Sequence, residues 1–220
     1  MPLHSPFGSL DGATALTLFA ITQTENLAET IEEHELQNAP VPANLSAGIA
    51  SLSAHLQNFG PDYDIPLFVN PDMDKQDIIY NNLEVAWYIA AGMYFHNRID
   101  NTFIDDMSFA VNGILMCLLR AEEIKAQVEP DVMYRDDPVT FPAFVASLNA
   151  IDRDPWVRWW DAVQRYGFPN VKAQWEVIQI VWDIMDSMQE IRGVDLIWVD
   201  VMKGREARRL STVFEELDFY

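Results

Sequence analysis

Apolar residues in this chain recur every three or four positions, and nowhere does a period of two persist long enough to build a sheet. The spacing predicts an N-terminal amphipathic helix from about Asp11 to about His34, with Leu16, Phe19, Ala20, Leu27 and Ile31 on its apolar side and Asp11 as N-cap. Glu25, Glu29, Glu32 and Glu33 fall mainly on the opposite, solvated side. A second helix carries Leu45, Ile49, Leu52, Leu56 and Phe59 and ends near Gly60. From about Asp77 to about Asn97, Ile78, Ile79, Leu83, Ala86, Trp87, Ala90, Ala91 and Tyr94 cover a face wide enough to need neighbours on more than one side. That segment is the candidate central helix.

Further helices are expected from about Asp105 (as N-cap) to Gln127, burying Val111, Ile114, Leu115, Leu118 and Leu119, with Arg120, Glu122, Glu123 and Lys125 exposed. An Ala-containing segment from Phe141 to Ile151 follows, then a tryptophan-dense one from Trp156 to Tyr166, with Asp154 as cap and Pro155 in the first turn. The last long helix runs from about Asn170 to Arg192, and a short segment through Trp198 and Met202 closes the pattern. Residues 60–77 and 128–142, rich in Pro and Asp, read as connectors. Only nine glycines occur, several of them near segment ends (Gly60, Gly167, Gly193, Gly204). The expected fold is all-α: a single compact multi-helix domain over residues 1–220.

Half of the residues are apolar, so burial can offset chain entropy. The formal charge is −20, and the first 74 residues hold ten Asp or Glu with no Lys or Arg. Such a surface repels phosphate, which argues against direct nucleic-acid binding and leaves either a solvated acidic face or one that docks a basic partner. No apolar run reaches the ~20 residues that span a bilayer, so no membrane span is expected. The start of the chain has no basic segment before its apolar stretch, and a secretory signal is not expected. The predicted location is intracellular, nuclear or cytoplasmic.

No catalytic constellation emerges. The only cysteine, Cys117, lies in the apolar run Ile114 to Leu119, which excludes an internal disulfide and a Cys-based zinc site within these residues. The residues three before His4, His34, His55 and His96 are Met1, Ile31, Leu52 and Met93, so no Glu-x-x-His pair exists for a di-iron bundle. Asp100 with Asp105 and Asp106 invites comparison with aspartate-rich magnesium motifs, and Asp183 with Asp186 offers a second acidic set. The next turn supplies Ser108 and Phe109 where a third acid is needed, and no basic cluster stands by to meet a diphosphate. No metal or cofactor is expected. Asn81, Asn82, His96, Asn112 and Asn149 interrupt apolar stretches and read as satisfied structural residues. The basic cluster from Lys203 to Arg209 reads as cations near a helix C-terminus, with nuclear import or a partner contact as the alternative.

Three stretches carry a family likeness. The run Tyr80-Asn-Asn-Leu-Glu-Val-Ala-Trp-Tyr-Ile-Ala-Ala-Gly-Met-Tyr-Phe-His-Asn-Arg98 is an aromatic-rich, alanine-containing helix ending in Tyr-x-His. The run Thr140-Phe-Pro-Ala-Phe-Val-Ala-Ser-Leu-Asn-Ala150 has Phe141 where Trp is usual. The third runs from Asn170 through Val181-Trp182 to Trp198-Val-Asp-Val-Met202. Together, over about residues 77–204, they resemble the fungal-specific regulatory domain found C-terminal to Zn2Cys6 DNA-binding modules. The opening His4-Ser-Pro-Phe-Gly-Ser-Leu resembles that family's earlier helix entry. The resemblance implies an α-helical body that in relatives senses small apolar ligands such as sterols, mediates dimerisation or contacts coactivators. It does not imply promoter binding, because the zinc module needs six cysteines and these residues hold one.

Two functional expectations follow. The first is a transcription-regulator-like protein without its own DNA-binding module, acting through a protein partner (a transcription factor or a second copy) or an apolar ligand, in a setting such as a fungal biosynthetic gene cluster. The second is an enzyme of cyclase or isomerase type, or a carrier, for an apolar metabolite on the same scaffold, with His96 or a nearby Asp as acid or base. Trp87, Tyr94, His96, Trp182, Met185 and Trp198 are the expected ligand contacts; the plainer reading of the five other than His96 is that they fill the core.

Overall fold

A computed structural model describes residues 7–40, 42–58, 73–100, 107–192 and 197–203. They form eight α-helices: α1 (Ala15–Leu36), α2 (Ala43–Asn58), α3 (Lys75–Phe95), α4 (Ser108–Val128), α5 (Phe141–Leu148), α6 (Asp154–Val163), α7 (Pro169–Arg192) and α8 (Trp198–Lys203). A π-helix, His96–Asp100, extends α3, and short 3₁₀ turns cover Val132–Tyr134 and Gln164–Tyr166. No strand occurs among the described residues; a lone antiparallel bridge joins Gly8 to Val139. The all-α expectation holds.

α3 is the central helix, as its wide apolar face predicts. Thirteen of its 21 residues are buried, and it packs against α1, α4 and α5. The short helix α5 is the second pillar: all eight of its residues are buried, between α3, α4 and α7. Its entry is clamped from the far end of the sequence. Phe7 meets Phe141 edge-on at 5.1 Å, and the Thr140 hydroxyl donates to the Phe7 carbonyl at 2.7 Å. Trp87 stacks on the other side of Phe141, its centroid 5.1 Å away and the planes 11° apart. Burying rings of this size contributes several kcal/mol each, so this junction is a main source of stability.

The helix ends differ from the sequence reading in instructive ways. Thr14, not Asp11, caps α1, its hydroxyl accepting the Thr17 N–H. Asp11 instead belongs to a turn with Gly12, whose φ of +77° and approach to Leu83 leave no room for a Cβ. The turn exists to bring the chain onto α3, where the Trp87 indole donates to the Asp11 carbonyl at 3.0 Å. Asp74 caps α3 one turn before the expected start. Arg153 occupies the cap position of α6, and Asp154 lies in the first turn, where its charge faces the positive end of the helix dipole. The expected cap Asp105, the end of the second helix at Phe59 and Gly60, the connector up to Asp72, the opening His4 and the basic cluster beyond Lys203 lie outside the described residues.

Two faces also turn differently. α1 buries Thr17, Ala20, Ile21, Thr24, Glu25 and Ala28, leaving Phe19 53% exposed. The buried stripe, rich in Thr and Ala, packs against α3. The threonines cost little there, since Thr24 and Thr17 return their hydroxyls to carbonyls of their own chain, Ala20 at 2.8 Å and Thr14 at 2.9 Å. On α4, Leu119 is exposed and Lys125 is buried, the reverse of expectation. The Lys125 ammonium folds back onto the Asp137 carbonyl at 2.9 Å and reaches Glu122 at 3.3 Å, which pins the connector after α4.

Candidate functional site

The most unusual chemistry in the core lies where α3 passes into the π-helix. The wider π turn, with its i→i+5 hydrogen bonds, carries Asn97 and Arg98, and both are buried, each toward a different neighbour. Asn97 faces α5 and α8. It exchanges amide hydrogen bonds with Asn149 at 3.0 and 2.8 Å and accepts the Trp198 indole N–H at 2.9 Å. Arg98 faces α1, donating from Nε to Glu25 at 2.7 Å and from Nη1 to Glu32 at 2.8 Å. Tyr94 donates to the same Glu25 oxygen at 2.5 Å.

The electrostatics fix the protons of this cluster. Burial raises the Tyr94 pKa well above that of a free phenol, and the Glu25 charge adds to the effect. Burial alone would lower that of Arg98, but the neighbouring Glu25 carboxylate more than offsets it and the guanidinium is held more firmly charged. A phenol and a guanidinium so held do not exchange protons near neutral pH. The second Glu25 oxygen and Arg98 Nη2 find no hydrogen-bond partner. The cluster is therefore a lock joining α1 to the π-helix, with a polar remainder at its centre.

The six residues expected as ligand contacts separate into three places. Trp87, Tyr94 and Trp198 come together: Tyr94 meets Phe141 edge-on at 5.8 Å and Trp198 in a stacked arrangement at 6.2 Å. Trp182 and Met185 are buried along α7, where the Trp182 indole donates to the Ser147 carbonyl at 2.9 Å and its ring meets Trp175 edge-on at 5.5 Å. His96 stands at the surface, its Nδ1 paired with Asp100 at 2.7 Å. Sequence reasoning missed Glu25, Arg98 and Asn97. The one signal available was an arginine just after the wide apolar face of Ile78 to Tyr94, where a cation has to find a carboxylate on a neighbouring helix.

Other candidates for chemistry are accounted for. Burial pushes the Cys117 thiol up to about 11, so it stays protonated and is a poor nucleophile. Asp186 is engaged by Arg153 in a two-pronged pair of 2.6 and 2.8 Å, and the same guanidinium lies 4.9 Å from the Trp182 ring centroid. Among the described residues no group of three or more His, Cys, Asp and Glu side chains is placed to hold a metal ion, and no helix is long and apolar enough to cross a membrane.

The outer face of α7 presents a different kind of site. Ile180, Ile184 and Ile191 are 57%, 41% and 79% exposed, and Val177 and Met188 on the same helix are half-buried. Val177, Ile184 and Ile191 repeat at seven residues, with Ile180 in the intervening position, which is the spacing of a helix–helix seam. Glu176, Asp183 and Glu190 flank the seam at the same interval, all exposed.

Comparison with known proteins bears on the whole arrangement. The sequence profile of the fungal specific transcription factor domain matches residues 13–213, which extends the likeness seen over 77–204 to include α1 and α2. No curated protein and no solved structure matches the chain. With the profile running from the turn before α1 to beyond α8, the chain belongs to the fungal specific transcription factor domain family.

Proposed function

We propose that this protein regulates transcription through a protein partner, using the exposed face of α7, and makes no hold of its own on DNA. Family membership supplies the regulatory role. The partner reading is carried by the isoleucine seam of α7, a 24-residue helix about 36 Å long. Exposed isoleucines at this spacing are unusual on a soluble helix and mark an interaction face. The acidic flank of Glu176, Asp183 and Glu190 favours a partner helix whose apolar stripe is bordered by Lys or Arg, and it disfavours a second copy of this acidic chain packed antiparallel. The charge of −20 works against phosphate contact, and a single cysteine cannot build a two-zinc cluster within these residues. A nuclear location and a role in one biosynthetic gene cluster belong to the same proposal.

The test uses a deletion strain complemented with the wild-type chain or with Ile180→Asp/Ile184→Asp. Both substitutions fall at exposed positions, so the helix stays folded. Loss of target transcripts in the variant, with normal protein level, is the expected result. Transcripts intact while one metabolic intermediate accumulates in the deletion strain would point to catalysis or carriage instead. An apolar ligand held among Trp87, Tyr94 and Trp198, or beside Trp182 and Met185, is a second proposal, resting on the aromatic density there. It requires closely packed rings to part, and titration of tryptophan fluorescence with a sterol checks it.

A further inference from the structure

A groove of about 730 Å³ opens between the end of α4, the 3₁₀ turn Val132–Tyr134 and α6. Its apolar wall includes Leu119, Trp159 and Tyr166, and three arginines, Arg135, Arg158 and Arg165, line the rest. In a chain of net charge −20 this is a local reversal. Two carboxylates also line the groove, but both are engaged. Glu122 accepts the Tyr166 hydroxyl at 2.6 Å and sits 3.3 Å from Lys125, and Asp131 accepts the Met133 N–H at 3.1 Å.

The arginines differ in their commitments. Arg135 donates to the carbonyls of Glu129 and Pro130, both at 2.6 Å. Arg98, Arg120 and Arg153 each have a carboxylate partner. Arg158 and Arg165 are exposed, and among the described residues neither has a carboxylate within ion-pair distance. Arg158 stands on α6 and Arg165 in the 3₁₀ turn Gln164–Tyr166 that follows it, and both line the same opening. Trp159 forms the wall between them in sequence; it is 3% exposed and its indole N–H finds no acceptor.

We infer that this groove is a binding site for a small organic anion: a flat apolar body against Trp159, Tyr166 and Leu119, with a carboxylate or similar group held by Arg158 and Arg165. The volume falls within the range of small-molecule clefts, ~300–1,000 Å³. Guanidinium groups grip planar oxyanions with two parallel hydrogen bonds, which supplies the orientation. The site shares no residue with the α7 seam, so its fate is independent of the partner proposal.

Isothermal titration of the full chain with 2-naphthoate, and with its neutral analogue 2-naphthamide, tests the inference. One-to-one binding of the acid is expected, at least tenfold tighter than the amide and weakening as salt is raised. Arg158→Ala/Arg165→Ala, at two exposed positions, should fold normally by circular dichroism and lose tenfold or more in affinity for the acid only. No saturable binding at millimolar 2-naphthoate, equal affinity for the amide, or an unchanged double variant would each overturn it. So would an acidic peptide that binds with the same arginine dependence and excludes the small acid, since the occupant would then be a protein segment.

Discussion

Glu25 holds the charge of Arg98 and the hydroxyl of Tyr94 with a single oxygen, and all three side chains lie away from water. Removing one partner of such a pair leaves an unpaired buried charge, whereas replacing both by apolar groups of similar volume does not. Glu25→Ala is therefore expected to lose about 3–5 kcal/mol of stability, read as a lower urea midpoint. The double variant Glu25→Met/Arg98→Met should recover part of that loss, short of the cost of the Tyr94 hydroxyl that it leaves without its acceptor. If the double variant is as unstable as the sum of the two single ones, the lock does not act as a unit.

Cys117 offers a second prediction at this scale, one of pH. Its thiol moves from the ordinary 9.0 to about 11 on folding. Between those values the unfolded chain has released the proton and the folded chain has not, so stability is full below pH 9 and falls as pH rises toward 11. The shift corresponds to roughly 2–3 kcal/mol. Tyr94, also raised by burial, continues the decline at higher pH. Stability measured at pH 8, 9, 10 and 11 should fall more steeply for the wild type than for Cys117→Ala, and parallel curves would refute the assignment.

At the scale of elements, α3 shows what a helical pattern conveys and what it hides. Its wide apolar face announced a central helix, and the neighbours are there. The pattern did not announce the π turn at its end, because an inserted residue leaves no mark in composition. It shows only as Asn97 and Arg98 both buried. α1 was misread for a related reason. Its buried stripe is largely Thr and Ala, which weigh less in a hydrophobic pattern than the exposed Phe19, and Glu25 looked like one more solvated acid. Lys125 was misread because its burial depends on carbonyls twelve residues away in a connector. Family likeness supplied the regulatory role, but no spacing in the sequence separated the α7 seam from a core face.

Gly92 gives α3 a testable weakness. It sits in the last turns of the helix, and a Cβ built there meets nothing within 4 Å. Glycine costs about 0.5–1 kcal/mol against alanine within a helix, chiefly through the entropy of the unfolded chain. Gly92→Ala should therefore raise stability by about that amount, seen as a higher denaturant midpoint with unchanged slope. Gly12→Ala should do the opposite, because its φ of +77° and the Leu83 backbone both oppose a side chain. A loss of stability in Gly92→Ala would mean that the space beside α3 is closed in solution.

For the molecule as a whole the dominant field is its own charge of −20. A compact chain of this length has a radius of gyration of roughly 17 Å. At 0.01 M salt the screening length is about 30 Å, so acids on all sides repel one another; at 0.15 M it is about 8 Å and only near neighbours do. The opposing term is the loss of exposed ion pairs such as Lys172–Glu176 at 3.6 Å, worth well under 1 kcal/mol each. The buried Glu25–Arg98 pair is shielded from salt and does not enter the balance. Repulsion should win. Raising NaCl from 0.01 to 0.15 M is expected to stabilise the fold by about 1–2 kcal/mol, which for a domain of this size moves the melting temperature up by about 2–8 °C. Choline chloride should act as well as NaCl, because the effect is screening and needs no bound cation. A melting temperature that falls over the same range would mean that attraction between charges, not their excess of one sign, holds this surface together.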